Sequence, residues 1–201
     1  MAPQDDSRHP VHPLHPCSII QQEFLRLLLR HQVRYLVVGG IAVIYHGHAR
    51  LTGDVDFLYD ANPENAHRLY AALGEFWGGA VPALGGPADL LEPGVVVQYG
   101  RPPNRIDLLS SISGVTFAEA WAARKEEPLE GGAESLMVPI IGLAELVRNK
   151  RAAGRPKDLD DLEFLDVSRR YAEPAVATSA GWRLVYGDPE SGARIFRRIG
   201  P

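Results

Sequence analysis

Apolar residues recur along this chain in two rhythms, one helical and one alternating. Ile20, Phe24, Leu27, Leu28 and His31 fall three or four apart, so residues 19–32 are predicted to form an amphipathic helix. The run 35–38 (YLVV) is β-rich and is stopped by Gly39-Gly40. Residues 41–49 (IAVIYHGHA) predict a short helix, and 54–60 (DVDFLYD) a strand followed by a turn. Residues 63–77 predict a helix with Pro63 at a favourable first-turn position. The stretch 78–94 is rich in glycine and proline and predicts a long loop, either a lid over a site or a solvated insertion.

Beyond that loop, 95–100 (VVVQYG) and 104–112 (NRIDLLSSI) predict two strands joined by a Pro102-Pro103 turn. Residues 117–125 predict a short helix, 133–138 a further strand, and 139–154 a helix ending at Gly154. The next helix, 156–171, opens on Pro156, crowds acids into its first turn and ends in arginines, the charge order a helix dipole favours. Runs 182–186 and 193–198 flank GDPESG and predict a terminal β-hairpin. The expected fold class is therefore α/β (α+β): a small mixed sheet flanked by helices, then C-terminal helices and the hairpin. The expected division is a disordered tail at 1–16, a domain at 17–172, and a linker with the hairpin at 173–201.

The alternating rhythm carries candidate chemistry. Successive strand side chains point to opposite faces, so Asp54 and Asp56 share one face while Val55 and Phe57 enter the core. In the run Ile106-Asp107-Leu108 the two apolar residues occupy the buried face, which leaves Asp107 on the side of the other acids. Crowded carboxylates repel, and a divalent cation between them relieves the cost. Mg²⁺ or Mn²⁺ prefers such oxygens and keeps places for phosphates. Three acids on neighbouring strands suit a pair of metals for in-line phosphoryl displacement, with Asp107 as candidate general base. Gly39 and Gly40, between a strand and a helix, let backbone N–H groups approach a phosphate.

Composition narrows the class without redirecting it. The chain has 201 residues, 45% of them hydrophobic, enough for one domain with a sizeable core. A formal net charge of -4 advertises no global attraction for nucleic acid. Cys17 is the single cysteine, so no disulfide framework exists. No apolar run approaches the roughly 20 residues that span a bilayer, and the N-terminus lacks the apolar centre of a secretory signal. A cytoplasmic protein without membrane contact is expected. His9, His12 and His15 sit in the proline-rich tail, with a polyproline-like tail preferred over a metal site because no Cys or acidic co-ligand stands beside them.

The conjunction strand–GG–helix–TxDxD, followed about fifty residues later by a strand-borne acid, resembles the nucleotidyltransferase (polymerase-beta-like) superfamily. The matching stretches are VVGGIAVIYHGHARLTGDVDFLYD and RIDLLSSISG, and LVRNKRAAGRPKDLDDLEFL resembles the closing helices of the minimal and AbiEii-type members. The resemblance implies metal-dependent transfer of a nucleoside monophosphate from an NTP to an acceptor hydroxyl. It assigns Asp54, Asp56 and Asp107 to metal binding and catalysis. Gly39, Gly40, Thr52, Lys150 and Lys157 fall at the nucleotide. Implied partners are the NTP, a tRNA or protein acceptor, and a cognate antitoxin in a toxin–antitoxin or phage-defence setting. Alternatives are a small-molecule (aminoglycoside-like) transferase and a non-catalytic, antitoxin-like binding partner. The serine that follows the glycine pair in many members is replaced by Ile41 and Ala42, so phosphate contact would rest on backbone N–H groups and lysines.

Other residues carry weaker expectations. Thr52 either orients a site group or favours the start of the strand. Arg50 is expected in a surface salt bridge, and His46 in a structural hydrogen bond. Asp158 and Asp161 are either dipole partners of their helix or site residues. Tyr45, Tyr59 and Tyr70 are expected to pack, and the hairpin arginines Arg183, Arg194, Arg197 and Arg198 to be a solvated edge or a partner contact.

Overall fold

A computed structural model describes residues 18–129, 136–171, 182–187 and 194–198. The expected tail 1–16, Cys17, the linker 173–181 and the hairpin turn 188–193 lie outside the described residues. Helix α1 (Ile19–Arg30) opens on a capping box, in which Ser18 accepts from the Gln21 N–H and Gln21 caps the Ser18 N–H in return. Strand β1 (Tyr35–Val38) is buried along its whole length. Helix α2 (Gly39–Tyr45) begins on the glycine pair itself, two residues earlier than expected. Strand β2 (Asp54–Tyr59) leads to α3 (Pro63–Phe76), whose N-cap Asn62 accepts from the Asn65 N–H and whose first residue is the anticipated proline.

Strands β3 (Val96–Tyr99) and β4 (Arg105–Leu109) follow the long loop. Helix α4 (Phe117–Ala122) stops before the expected residue 125, because the chain turns into a strand absent from the sequence reading, β5 (Lys125–Leu129). Strand β6 (Leu136–Ile140) takes Pro139 and Ile140 from the expected helix, so α5 (Leu143–Ala153) starts later and ends, as expected, at a left-handed Gly154. Helix α6 (Pro156–Tyr171) matches its expected range. Strands β7 (Trp182–Gly187) and β8 (Arg194–Arg198) pair antiparallel, with Arg183 opposite Arg197.

The architecture is α+β with a mixed six-stranded sheet in the order β3-β4-β2-β1-β6-β5. Its central pairs are β4–β2, parallel, and β2–β1, antiparallel. The face carrying Phe57 and Tyr59 is dry. Phe24 of α1 meets Phe57 edge to face at 5.6 Å, and Tyr35 meets it at the same distance. Each such fully buried large side chain contributes roughly 1.5–3 kcal/mol.

The long loop is part of this dry side. It contains a 3₁₀ turn (Pro87–Leu91), buries Leu90 completely, and is fastened by Tyr59 Oη to Leu90 O at 2.9 Å and Tyr99 Oη to Pro82 O at 3.0 Å. Tyr59 and Tyr99 point away from the acid-bearing face, so the loop is anchored on the core side through Val81 and Leu90 while most of its residues are exposed, and it is not a lid over the acids. Among the described residues no helix is long and apolar enough to cross a membrane.

Candidate active site

The parallel register sets Asp54 beside Arg105, Val55 beside Ile106, and Asp56 beside Asp107. Val55 and Ile106 are buried in the core, and so are Phe57 and Leu108. The three acids consequently share the opposite face, at the floor of a cavity of about 540 Å³. Gly39 and Gly40 line this cavity, together with Arg50, Gln98, Arg105, Asn149, Lys150, Arg155, Lys157 and Asp158.

The acids differ in their surroundings. Thr52 Oγ1 donates to Asp54 Oδ1 at 2.7 Å, so this residue orients an acid in the structure. Arg105 donates to the other Asp54 oxygen, Oδ2, through Nη2, and to Asp107 Oδ1 through Nε at 2.9 Å. Gln98, the cross-strand neighbour of Asp107, donates to Asp107 Oδ2 at 3.0 Å. Arg105 bridges Asp54 and Asp107 and leaves out Asp56. Burial, then the Asp54 and Asp107 carboxylates, push it up to about 6, while the Gly40 N–H and Lys150 pull the other way.

The glycine pair is explained by this carboxylate. Gly39 has φ +59°, and a Cβ there would lie 1.9 Å from Asp56 Oδ2; a Cβ on Gly40 would lie 2.4 Å from Thr52 Oγ1. Glycine is required so that the start of α2 can close over the acids. The backbone expected to meet a phosphate meets Asp56 here, while still lining the cavity.

Lys150 lines the cavity and is tied into an ion network. It is 3% exposed, with Nζ 2.7 Å from Asp158 Oδ1 and 2.8 Å from Asp161 Oδ2. Both acids are 1% exposed. Asp158 also takes Arg155 Nε at 2.6 Å, and Asp161 lies 2.7 Å from Arg50 Nε. Arg50 is therefore in a buried ion network instead of a surface bridge, and Asp158 and Asp161 tie α6 to α5 and to the segment before β2. Lys157, by contrast, is exposed at the cavity wall. His46 makes the expected structural bond, Nε2 to Ile141 O at 2.8 Å. His48 stacks on Phe164 with ring centroids 3.8 Å apart.

Arg105 and Gln98 were not singled out from the sequence. Arg105 was within reach of it, since a residue two before a strand-borne acid shares that acid's face. Gln98 emerges only once β3 is known to pair with β4 in this register.

The family described as nucleotidyltransferase of unknown function (DUF6036) matches residues 18–180, most of the chain. The chain belongs to this family. A comparison with the curated proteins gives no match. Membership in this nucleotidyltransferase family agrees with a cavity that sets acids at its floor and cations along its wall.

The donors suit a hard divalent cation in kind and number: three carboxylates on one face, one of them short of counter-charge. Among the described residues, however, no three such donors converge closely enough to hold a metal ion as they stand. Arg105 bridges two of them instead.

Proposed function

We propose that this protein transfers a nucleoside monophosphate from an NTP to an acceptor hydroxyl, with release of pyrophosphate. The observation that carries the reading is the pairing of Asp56 with Asp107 across β2 and β4, beside Asp54, at the floor of a cation-lined cavity. Asp54, Asp56 and Asp107 are the residues to hold Mg²⁺ or Mn²⁺, which when bound supplies charge neutralisation for the triphosphate and the leaving group.

The chain's own groups divide the remaining work. Lys157 and Arg155 at the cavity wall attract the triphosphate, and Arg50 and Lys150 hold the wall behind it. Gly39 and Gly40 keep the Asp56 carboxylate at the cavity floor. Asp107, 4% exposed and held by Gln98, is poised to take the proton of the acceptor hydroxyl.

The likeness to minimal and AbiEii-type members favours a macromolecular acceptor, tRNA or protein, in a toxin–antitoxin or defence setting. The test is incubation with Mg²⁺ and each NTP, labelled at the α or the γ phosphate, with total RNA, protein lysate or aminoglycosides as acceptors. Covalent α label without γ label on RNA or protein supports the proposal. Label on a small molecule moves the acceptor to the alternative class. Absence of α label on every acceptor defeats the enzymatic reading in favour of a binding partner.

A further inference from the structure

Arg105 occupies two of the carboxylate oxygens of the candidate metal-binding acids. The β2–β4 register sets it directly opposite Asp54, and the strand alternation puts it on the face of Asp107. Its guanidinium spans the first and third acids, donating to Asp54 Oδ2 and to Asp107 Oδ1. Thr52 holds the remaining Asp54 oxygen and Gln98 the remaining Asp107 oxygen. Every carboxylate oxygen of these two acids thus has a protein donor, and only Arg105 among those donors carries a charge.

The backbone of Arg105 is fixed, because buried Gln21 donates through Nε2 to its carbonyl at 3.0 Å. The side chain is 29% exposed and lines the cavity, so it has room to turn without the strand moving. A divalent cation seated on the same oxygens would meet the guanidinium at close range, where like charges repel as strongly as a salt bridge attracts. Both cannot stay.

We propose that Arg105 is a built-in counter-ion that competes with the metal for Asp54 and Asp107, so that the acids take up a divalent cation only when the guanidinium swings out into the cavity. The inference rests on the metal-dependent reading above. It accounts for acids that share one face without converging, among the described residues, as a metal cage. Phosphate oxygens are a natural second partner for the freed guanidinium, whose fork of N–H donors fits them in pairs. Metal loading is thereby coupled to arrival of the triphosphate.

The test uses Mn²⁺ alone, without nucleotide, with bound and free ion counted by electron paramagnetic resonance. Wild type, Arg105→Met, Arg105→Lys and Asp56→Asn are compared, with circular dichroism as the folding control. Arg105→Met is expected to bind Mn²⁺ about tenfold more tightly than wild type. Arg105→Lys keeps the charge and loses the fork, so it is also expected to bind more tightly, by a smaller factor, and it stands in if the methionine variant does not fold. Affinity unchanged or weaker in both variants, with binding still lost in Asp56→Asn, overturns the counter-ion and leaves the metal site standing. Arg105→Lys equal to wild type while Arg105→Met tightens supports the counter-ion and assigns the competition to its charge, with no share for the guanidinium fork. No Mn²⁺ binding sensitive to Asp56→Asn in any variant overturns the proposal and the metal reading together.

Discussion

Asp56 and Asp107 are direct partners across the parallel β2–β4 pair, with the dry core behind them and the cavity in front. Two carboxylates in that relation cost stability unless a cation joins them, which makes function and stability separable at this site. Asp56 is held up at about 6, so its folded-state proton affinity exceeds the unfolded one. Its contribution to stability is full below about pH 4 and is lost as pH rises through 6. Asp56→Asn is expected to stabilise the metal-free protein at pH 8 by about 1–3 kcal/mol, and not at pH 4. Thermal melts of both proteins at the two pH values measure this. An unchanged gap across pH would show that the acids do not repel as described.

Gly39 is predicted to be intolerant for a local reason. With φ +59° and a Cβ position 1.9 Å from Asp56 Oδ2, Gly39→Ala must displace that carboxylate or the start of α2. The backbone strain alone costs roughly 1–2 kcal/mol. Mn²⁺ binding is expected to weaken while circular dichroism stays that of the wild type. Wild-type metal affinity in the variant would disprove the close approach.

Lys150 and Lys157 are predicted to part company. Lys150→Met leaves Asp158 and Asp161 buried without their shared ammonium, and breaking such a network typically costs about 3–5 kcal/mol. Lys157→Ala removes an exposed charge, so urea unfolding is expected to be nearly unchanged while NTP affinity falls. Equal stability of the two variants would contradict the buried network.

His46 gives an acid-side prediction away from the acids. Burial lowers its pKa, against the Ile141 hydrogen bond that raises it. A depressed histidine contributes stability that is present above about pH 6.5 and is lost as pH falls through the folded value. His46→Gln is expected to flatten that acid limb of the stability curve. A limb of the same slope in the variant would place the effect elsewhere.

Much of this arrangement is legible in the sequence because alternation is a short-range rule. The spacing of Asp54, Asp56 and Asp107 against Val55, Phe57, Ile106 and Leu108 puts the acids on one face, and the structure has them there. The ends of α5 and α6 follow from Gly154 and Pro156 for equally local reasons. Strand β5 was not legible: KEEPL carries three charges and a proline, and it becomes a strand through its pairing with β6. The Arg50–Asp161 contact joins residues more than a hundred positions apart, and no spacing announces it. For the loop 78–94 the sequence left a lid and a solvated insertion open, and the choice rests on the long-range anchors Tyr59, Tyr99 and Leu90, which fasten a largely exposed loop on the core side.

The central claim, that the Asp56–Asp107 pair drives nucleotidyl transfer, is tested most directly by α-labelled NTP. Wild type, Asp56→Asn and Asp107→Asn would be incubated side by side with Mg²⁺ and total RNA or protein lysate, and covalently bound label counted. The account predicts label on an acceptor with the wild type and a loss of at least about a thousandfold in either variant, each retaining the wild-type circular dichroism. No label from any of the four nucleotides with the wild type, or undiminished label in either variant, would contradict it.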